Sequence, residues 1–186
     1  MDPSQLPAKV WYFAYGSNIR PERLQERIAT LSAQYFGEKI VILPDYKVIF
    51  NKISWSHPEA GYANIVHAPG SHICGVVYCM SPDGIAALDH FEKTPTNYTR
   101  GEVTARTFDP SKPDNLGEPI PAQAYFAVSD VCSDGLKPTR EYMSHLCSRK
   151  GEMPDYYQSQ LEAVDAHDYE FIGNNLTNDH HPIIPT

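Results

Sequence analysis

The string VWYFAYGSNIRPERLQERI, residues 10–28, constrains this chain more than any other part of it. A run of β-branched and aromatic side chains from Val10 to Tyr15 ends in Gly16-Ser17-Asn18, three turn-formers, and so predicts a buried strand that delivers a tight loop. Pro21 then opens an amphipathic helix in which Leu24, Ile28 and Leu31 recur at i, i+4 and i+7, with Asn18 or Arg20 near its start. Glycine at position 16 lets the backbone turn and lets a ligand approach it closely, while the start of the helix adds unpaired N–H donors that favour negative charge. Such a loop can cradle a carboxylate or an oxyanion; it can equally be a plain turn. The nucleophile-elbow pattern G-x-S-x-G is absent, so Ser17 is not expected to be an activated serine.

Further along, apolar alternation predicts strands over Ile40 to Leu43, Tyr46 to Lys52, Tyr62 to His67 and His72 to Met80, broken by Pro44-Asp45, a polar stretch and Pro69-Gly70-Ser71. Ser81-Pro82-Asp83 supplies a cap, a first-turn proline and a first-turn acid for a helix reaching about Glu92. Tyr98 to Phe108 and Gln123 to Val128 read as strands around a proline-rich segment, residues 109–121, expected to be a solvent loop. Two late helices are expected, Thr139 to about Arg149 and Pro154 to Val164. A chain of 186 residues with no internal repeat is expected to form one domain over residues 1–172 and an irregular tail over 173–186. The class is α+β, built on a curled, largely antiparallel sheet.

Lys+Arg 15 against Asp+Glu 23 gives a formal charge of −8, and no basic cluster stands ready to neutralise phosphates, so nucleic acid is not an expected partner. No stretch approaches the roughly 18 to 20 apolar residues of a membrane helix, and the N-terminus lacks the pattern of a secretory signal; a cytoplasmic protein is expected. Cys74, Cys79, Cys132 and Cys147 form no CxxC pair and read as reduced thiols. The N-x-T matches at Asn97 and Asn175 read as chance. Eight histidines, including His180-His181, prompt a metal-dependent hydrolase, but no H-E-x-x-H or other helical ligand pair supports it, and no metal is expected.

Glu92 is the second chemical candidate. Taking about 100° per residue from Ile85, Leu88 falls at about 300° and Glu92 at about 340°, so this carboxylate projects along the apolar stripe. Burial and the helix C-terminus would both raise its pKa toward the range useful for proton transfer. The competing reading is a frayed last turn with Glu92 in water. Asp89, at about 40° on the same wheel, is the next choice.

Taken together, YFAYGSN, then GYANIV and GVVY, then ALDHFE with Tyr98 six residues after its glutamate, resemble the gamma-glutamylcyclotransferase family in order from residue 10 to about 165. The resemblance implies a small mixed, largely antiparallel β-barrel with flanking helices. It implies a metal-independent enzyme without cofactor that converts a small-molecule γ-glutamyl amide or dipeptide to 5-oxoproline and a free amine or amino acid. Glu92 would be the general acid/base; Tyr15, Gly16, Ser17 and Asn18 would bind the γ-glutamyl group, with Tyr98 and Tyr142 in the pocket. The family's acid is commonly followed by glycine, where this chain has Lys93, and the small residues common after the Tyr142 helix are here Ser148-Arg149-Lys150. Both departures bear on the amine half of the substrate. Asn18 argues against the glutathione-specific branch. Other readings are a non-catalytic binding module of the same fold and cyclising release of a γ-glutamyl group from an amine, an isopeptide lysine or a biosynthetic intermediate. The enzymatic reading requires the acid and the loop to face each other. Oligomeric state is not legible here.

Overall fold

Strand β1 (Val10–Ala14) is the aromatic run expected from the sequence, and it pairs antiparallel along its whole length with the end of β3 (Gly61–Met80), from Val10 opposite Met80 to Ala14 opposite Val76. Phe13 and Ala14 are fully buried there. Gly75 makes the close approach possible, because a Cβ on it would stand 2.5 Å from the Ala14 carbonyl oxygen and 2.7 Å from the Phe13 ring. The computed structural model describes residues 8–29, 33–109 and 111–168; Leu31, Asn175, the His180-His181 pair and the tail expected from residue 173 lie outside them.

The four short strands expected after the first helix are two long ones, β2 (Tyr35–Ile53) and β3. The breakers do not end the strands because they meet each other across the ladder. Asp45 (φ 62°) and Gly70 (φ 80°) take left-handed backbone, the Gly70 N–H donates to Asp45 Oδ1 at 2.9 Å, and pairing resumes on either side at Pro44–His72 and Tyr46–His67.

The proline-rich segment expected to be a loop is also strand. β4 (Tyr98–Asp109) and β5 (Lys112–Ala127) form a hairpin in which Pro119 and Pro121 oppose Arg106 and Thr104. Proline lacks an N–H and is tolerated where one side of a strand is unladdered. The register of β5 with β1 is held at Tyr12–Gln123, beyond both prolines. The strands close into a barrel in the order β1-β3-β2-β4-β5, antiparallel except for the parallel β1–β5 contact, as the α+β barrel expectation required.

Helix α1 (Pro21–Ile28) buries Leu24 and Ile28 and packs against α2 (Pro82–Phe91), which follows Ser81 as expected. Helix α3 (Arg140–Leu146) starts where Thr139 Oγ1 accepts the Tyr142 N–H at 3.1 Å, and it tightens into a 3-10 turn over Cys147–Arg149 instead of continuing as α-helix. Helix α4 (Asp155–Glu162) is the last described element. All four cysteines are free thiols, Cys74 and Cys79 buried and the other two half-buried. Asn97 is buried, which fits its reading as a chance match. Among the described residues no helix is long and apolar enough to cross a membrane.

Arg149 ties the C-terminal part to the first loop. Its Nε donates to the Ile19 carbonyl at 3.2 Å, beside a 2.7 Å bond from the Tyr78 hydroxyl to the same oxygen, and its guanidinium pairs with Glu38 and with Glu152 at 3.0 Å. Arg149 is buried while Glu38 and Glu152 are partly exposed, so the ion pairs are worth less than fully buried ones. Arg149→Met should lower the unfolding free energy by about 2 kcal/mol, read from the urea midpoint; an unchanged midpoint would show that the clamp contributes nothing.

Candidate active site

Chain direction changes at Gly16, and residues Ser17–Ile19 wind into a 3-10 turn closed by the Ile19 N–H on the Gly16 carbonyl at 3.0 Å. Ser17 and Asn18 are buried. Their N–H groups open the turn and have no partner inside it. Gly16 keeps a negative φ of −106°; what it supplies is space, since a Cβ there would stand 2.9 Å from the Tyr142 hydroxyl.

Glu92 caps the C-terminus of α2 and is held there, its N–H donating to the Leu88 carbonyl at 2.8 Å, so the last turn does not fray. Its side chain is 15% exposed, with Oε1 accepting from Asn18 Nδ2 at 3.3 Å and lying 3.7 Å from Arg27 Nη1. Burial pushes its pKa above the ordinary glutamate value; Arg27 most of all, then Asn18, Lys52 and Arg23, pull it back down. Asn18 is used at both ends: Nδ2 also donates to the Tyr12 hydroxyl at 2.9 Å, and Oδ1 accepts from Arg27. Asp89 is turned elsewhere, paired with Arg100 at 2.7 Å and accepting from the Tyr125 hydroxyl at 2.9 Å.

Two tyrosines converge on the backbone of one residue of the GYANIV string, Ala63. The Tyr142 hydroxyl accepts the Ala63 N–H at 3.1 Å, and the Tyr98 hydroxyl donates to the Ala63 carbonyl at 3.4 Å. The Tyr15 hydroxyl is committed to the Tyr125 carbonyl. Burial first, and the Glu92 charge among the further causes, keep Tyr12, Tyr15, Tyr98 and Tyr142 protonated well above the usual phenol range. The structure thus joins Ser17, Asn18 and Glu92 through side-chain contacts with Arg27, sets Tyr142 against Gly16, and keeps Tyr15 and Tyr98 within electrostatic reach of the acid.

Sequence reasoning missed Arg27, Tyr12 and Lys52. Arg27 donates to Asn18 Oδ1 and, at 3.4 Å, to Ser17 Oγ, with its guanidinium 4.0 Å over the Phe91 ring. It stands between the acid and the loop. On the helical wheel it lies about 60° from Leu24, at the flank of the apolar stripe, and that was its available signal. Lys52 is 2% exposed and follows Tyr46, Val48 and Phe50 in apolar alternation, which was likewise a signal. A cavity of about 530 Å³ lies elsewhere, lined by residues that include Trp11, Tyr46, His67, Glu102 and Gln123 and by none of the loop residues or Glu92. Among the described residues no group of three or more His, Cys, Asp or Glu side chains is placed to hold a metal ion.

The family model for gamma-glutamyl cyclotransferase, AIG2-like proteins matches residues 12–144. The chain belongs to this family. The matched range holds Tyr12, the Gly16–Asn18 loop, Arg27, Lys52, Glu92, Tyr98 and Tyr142, whereas Arg149 and α4 lie beyond it. Gamma-glutamylcyclotransferase of Bos taurus is 28% identical over 165 residues, 86% of this chain and 80% of the bovine one. Among solved structures, a gamma-glutamyl cyclotransferase superposes with a TM-score of 0.74 at 27% identity, covering 92% of this chain and 96% of that one. A Homo sapiens protein solved as uncharacterized gives a TM-score of 0.74 at 28% identity, covering 92% and 95%. The family's cyclotransferase fold is therefore the fold of this chain.

Because Arg27 is the strongest influence opposing burial at Glu92, Arg27→Met should raise the Glu92 carboxyl pKa further above the ordinary value of 4.5. Carbon-13 detected titration of the glutamate carboxyls, wild type against variant, reads the shift; an unchanged or lowered value would break the electrostatic account.

Proposed function

We propose that this protein is a gamma-glutamylcyclotransferase in which Glu92 moves the proton. The substrate's α-amino nitrogen forms a bond to its own γ-carbonyl carbon, the carbonyl electron pair moves onto oxygen, and collapse of the tetrahedral intermediate breaks the bond to the leaving nitrogen. The α-ammonium sheds one proton to become a nucleophile and a second after the ring closes. The leaving nitrogen takes up one proton to depart and another, as a free amine, from solvent. No water adds, no electron is transferred, and a carboxylate that accepts a proton and hands it on ends the cycle as it began.

What carries this reading is the direct hydrogen bond between Asn18 and Glu92, which puts the acid and the glycine loop in one unit. The substrate itself supplies proximity, so the protein needs to fold the γ-glutamyl chain, stabilise the oxyanion and move a proton. Arg27, beside Ser17 and Asn18, is the permanent cation suited to the α-carboxylate of the γ-glutamyl group. The Ser17 and Asn18 N–H groups, which open the turn, and the Tyr142 hydroxyl are the donors suited to the developing oxyanion. A raised carboxyl pKa suits Glu92 to protonating a leaving amine near neutral pH. The chemistry calls for neither metal nor cofactor, so 5-oxoproline release should survive exhaustive chelation. A reducing compartment such as the cytoplasm suits the four free thiols.

Glu92→Gln should lower 5-oxoproline release from γ-glutamyl-alanine by about a thousandfold, with near-UV circular dichroism and thermal midpoint retained. Near-normal release would remove Glu92 from the mechanism, and failure of the wild type on a panel of γ-glutamyl amino acids, amines, isopeptide lysine and glutathione would remove the cyclotransferase reading itself.

A further inference from the structure

Lys93, directly after the acid, holds φ 52°, the left-handed conformation that commonly follows a helix and favours glycine. Nothing in the backbone calls for lysine, so what this residue adds is its side chain. Its Nζ lies 4.5 Å from the centre of the Trp55 ring. Lys52 Nζ lies 5.0 Å from the same ring and 5.9 Å from the Tyr62 ring. Trp55 is 58% exposed, an uncommon placement for so large an apolar surface, while Lys52 is buried and donates to the Ile53 carbonyl at 2.7 Å with one of its three N–H groups.

These contacts form a closed chain that runs through the acid. Asn18 bonds Glu92; Lys93 follows Glu92 and reaches Trp55; Trp55 shares its ring with Lys52; Lys52 meets Tyr62; Tyr62 packs at 5.0 Å on Tyr142; and the Tyr142 hydroxyl abuts Gly16, two residues from Asn18. One arc is the loop with Arg27. The opposite arc is two ammonium groups and an indole, a local concentration of positive charge in a chain of net charge −8. Burial most of all lowers the Lys52 pKa; the Glu92 charge raises it and the Lys93 charge lowers it further, so the two lysines and the acid share one electrostatic neighbourhood. Two cations held against one indole ring repel each other, and an anion bound beside them relieves that repulsion.

We propose that Lys93 and Trp55, with Lys52 buried against the same ring, form the leaving-group subsite: Lys93 holds the carboxylate of a departing amino acid and Trp55 takes its apolar side chain. This rests on the cyclotransferase reading and names the residues that read the amine half within it. With the γ-glutamyl half on the loop and the scissile nitrogen at Glu92, the rest of the substrate extends past residue 93. In an amino-acid leaving group the carboxylate carbon is two bonds from the scissile nitrogen, within reach of the residue next to the acid. Its side chain then lies over the exposed indole.

The test compares γ-glutamyl-leucine with γ-glutamyl-3-methylbutylamine, which differ by the carboxylate alone, scoring 5-oxoproline for wild type, Lys93→Gly, Lys93→Glu and Trp55→Ala. Wild type should prefer the leucine conjugate, and Lys93→Gly, which suits the left-handed backbone, should cut the ratio of kcat/KM values by about tenfold, mostly through KM. Lys93→Glu should cut it further, and Trp55→Ala should raise KM for γ-glutamyl-leucine more than for γ-glutamyl-alanine. Equal turnover of both conjugates by the wild type, or a ratio untouched by Lys93→Gly, overturns the subsite and leaves the cyclotransferase reading standing. If the wild type cyclises neither these nor any other γ-glutamyl compound, both fall together.

Discussion

A carboxylate withdrawn from water at the end of a helix is the constraint on which the rest of this structure turns. Left without partners, Glu92 would cost several kcal/mol or simply hold its proton. The fold supplies partners from three directions: Asn18 from the turn after β1, Arg27 from α1, and the electrostatic reach of Lys52 from β2. Each arrives only if a piece of the architecture is right. β1 must pair with β3 in its observed register for the loop to emerge at this point, α1 must pack on α2, and β2 must run past its kink at Asp45 to carry Lys52 in. The Ile19 carbonyl, held by Tyr78 from the sheet and Arg149 from the C-terminal part, fixes the far side of the same turn.

Asn18 is where these requirements meet. An asparagine amide offers donors at one end and an acceptor at the other, and here the nitrogen serves Tyr12 and Glu92 while the oxygen takes Arg27. An aspartate at 18 would set a second negative charge against Glu92, and a serine or alanine would leave the guanidinium without its acceptor. The residue therefore orients the acid and the cation against each other, and the two together pull the carboxyl's pKa back down against the burial that raises it.

Much of this was legible in the sequence, because the signals were local. The strand at Val10, the turn at Gly16, the Pro21 and Pro82 helix starts and the inward face of Glu92 each follow from a few neighbouring residues. What escaped depended on pairing between distant segments. Pro44-Asp45 and Pro69-Gly70 look like strand ends until each is known to face the other, and Pro119 and Pro121 look like loop until the side of β5 on which they fall is known to lack a ladder. Arg27 and Lys52 went unnoticed because a sequence does not display the partner that makes a buried cation affordable.

Lys93 shows how closely helix termination and chemistry are coupled here. Glu92 is the C-cap of α2, and from that position its carboxylate meets Asn18. A helix that stops there needs a left-handed residue next, and the reversal through residues 94–97 then sends the chain into β4. The backbone decision that places the acid therefore also fixes the direction of the following side chain, toward Trp55 across the ring from the loop. Glycine at that position satisfies the backbone and contributes nothing to the ring; lysine strains the backbone slightly and adds a cation one residue from the acid. A change at this one position alters what the site presents to the amine half of a substrate without moving Glu92, Asn18 or the barrel that holds them.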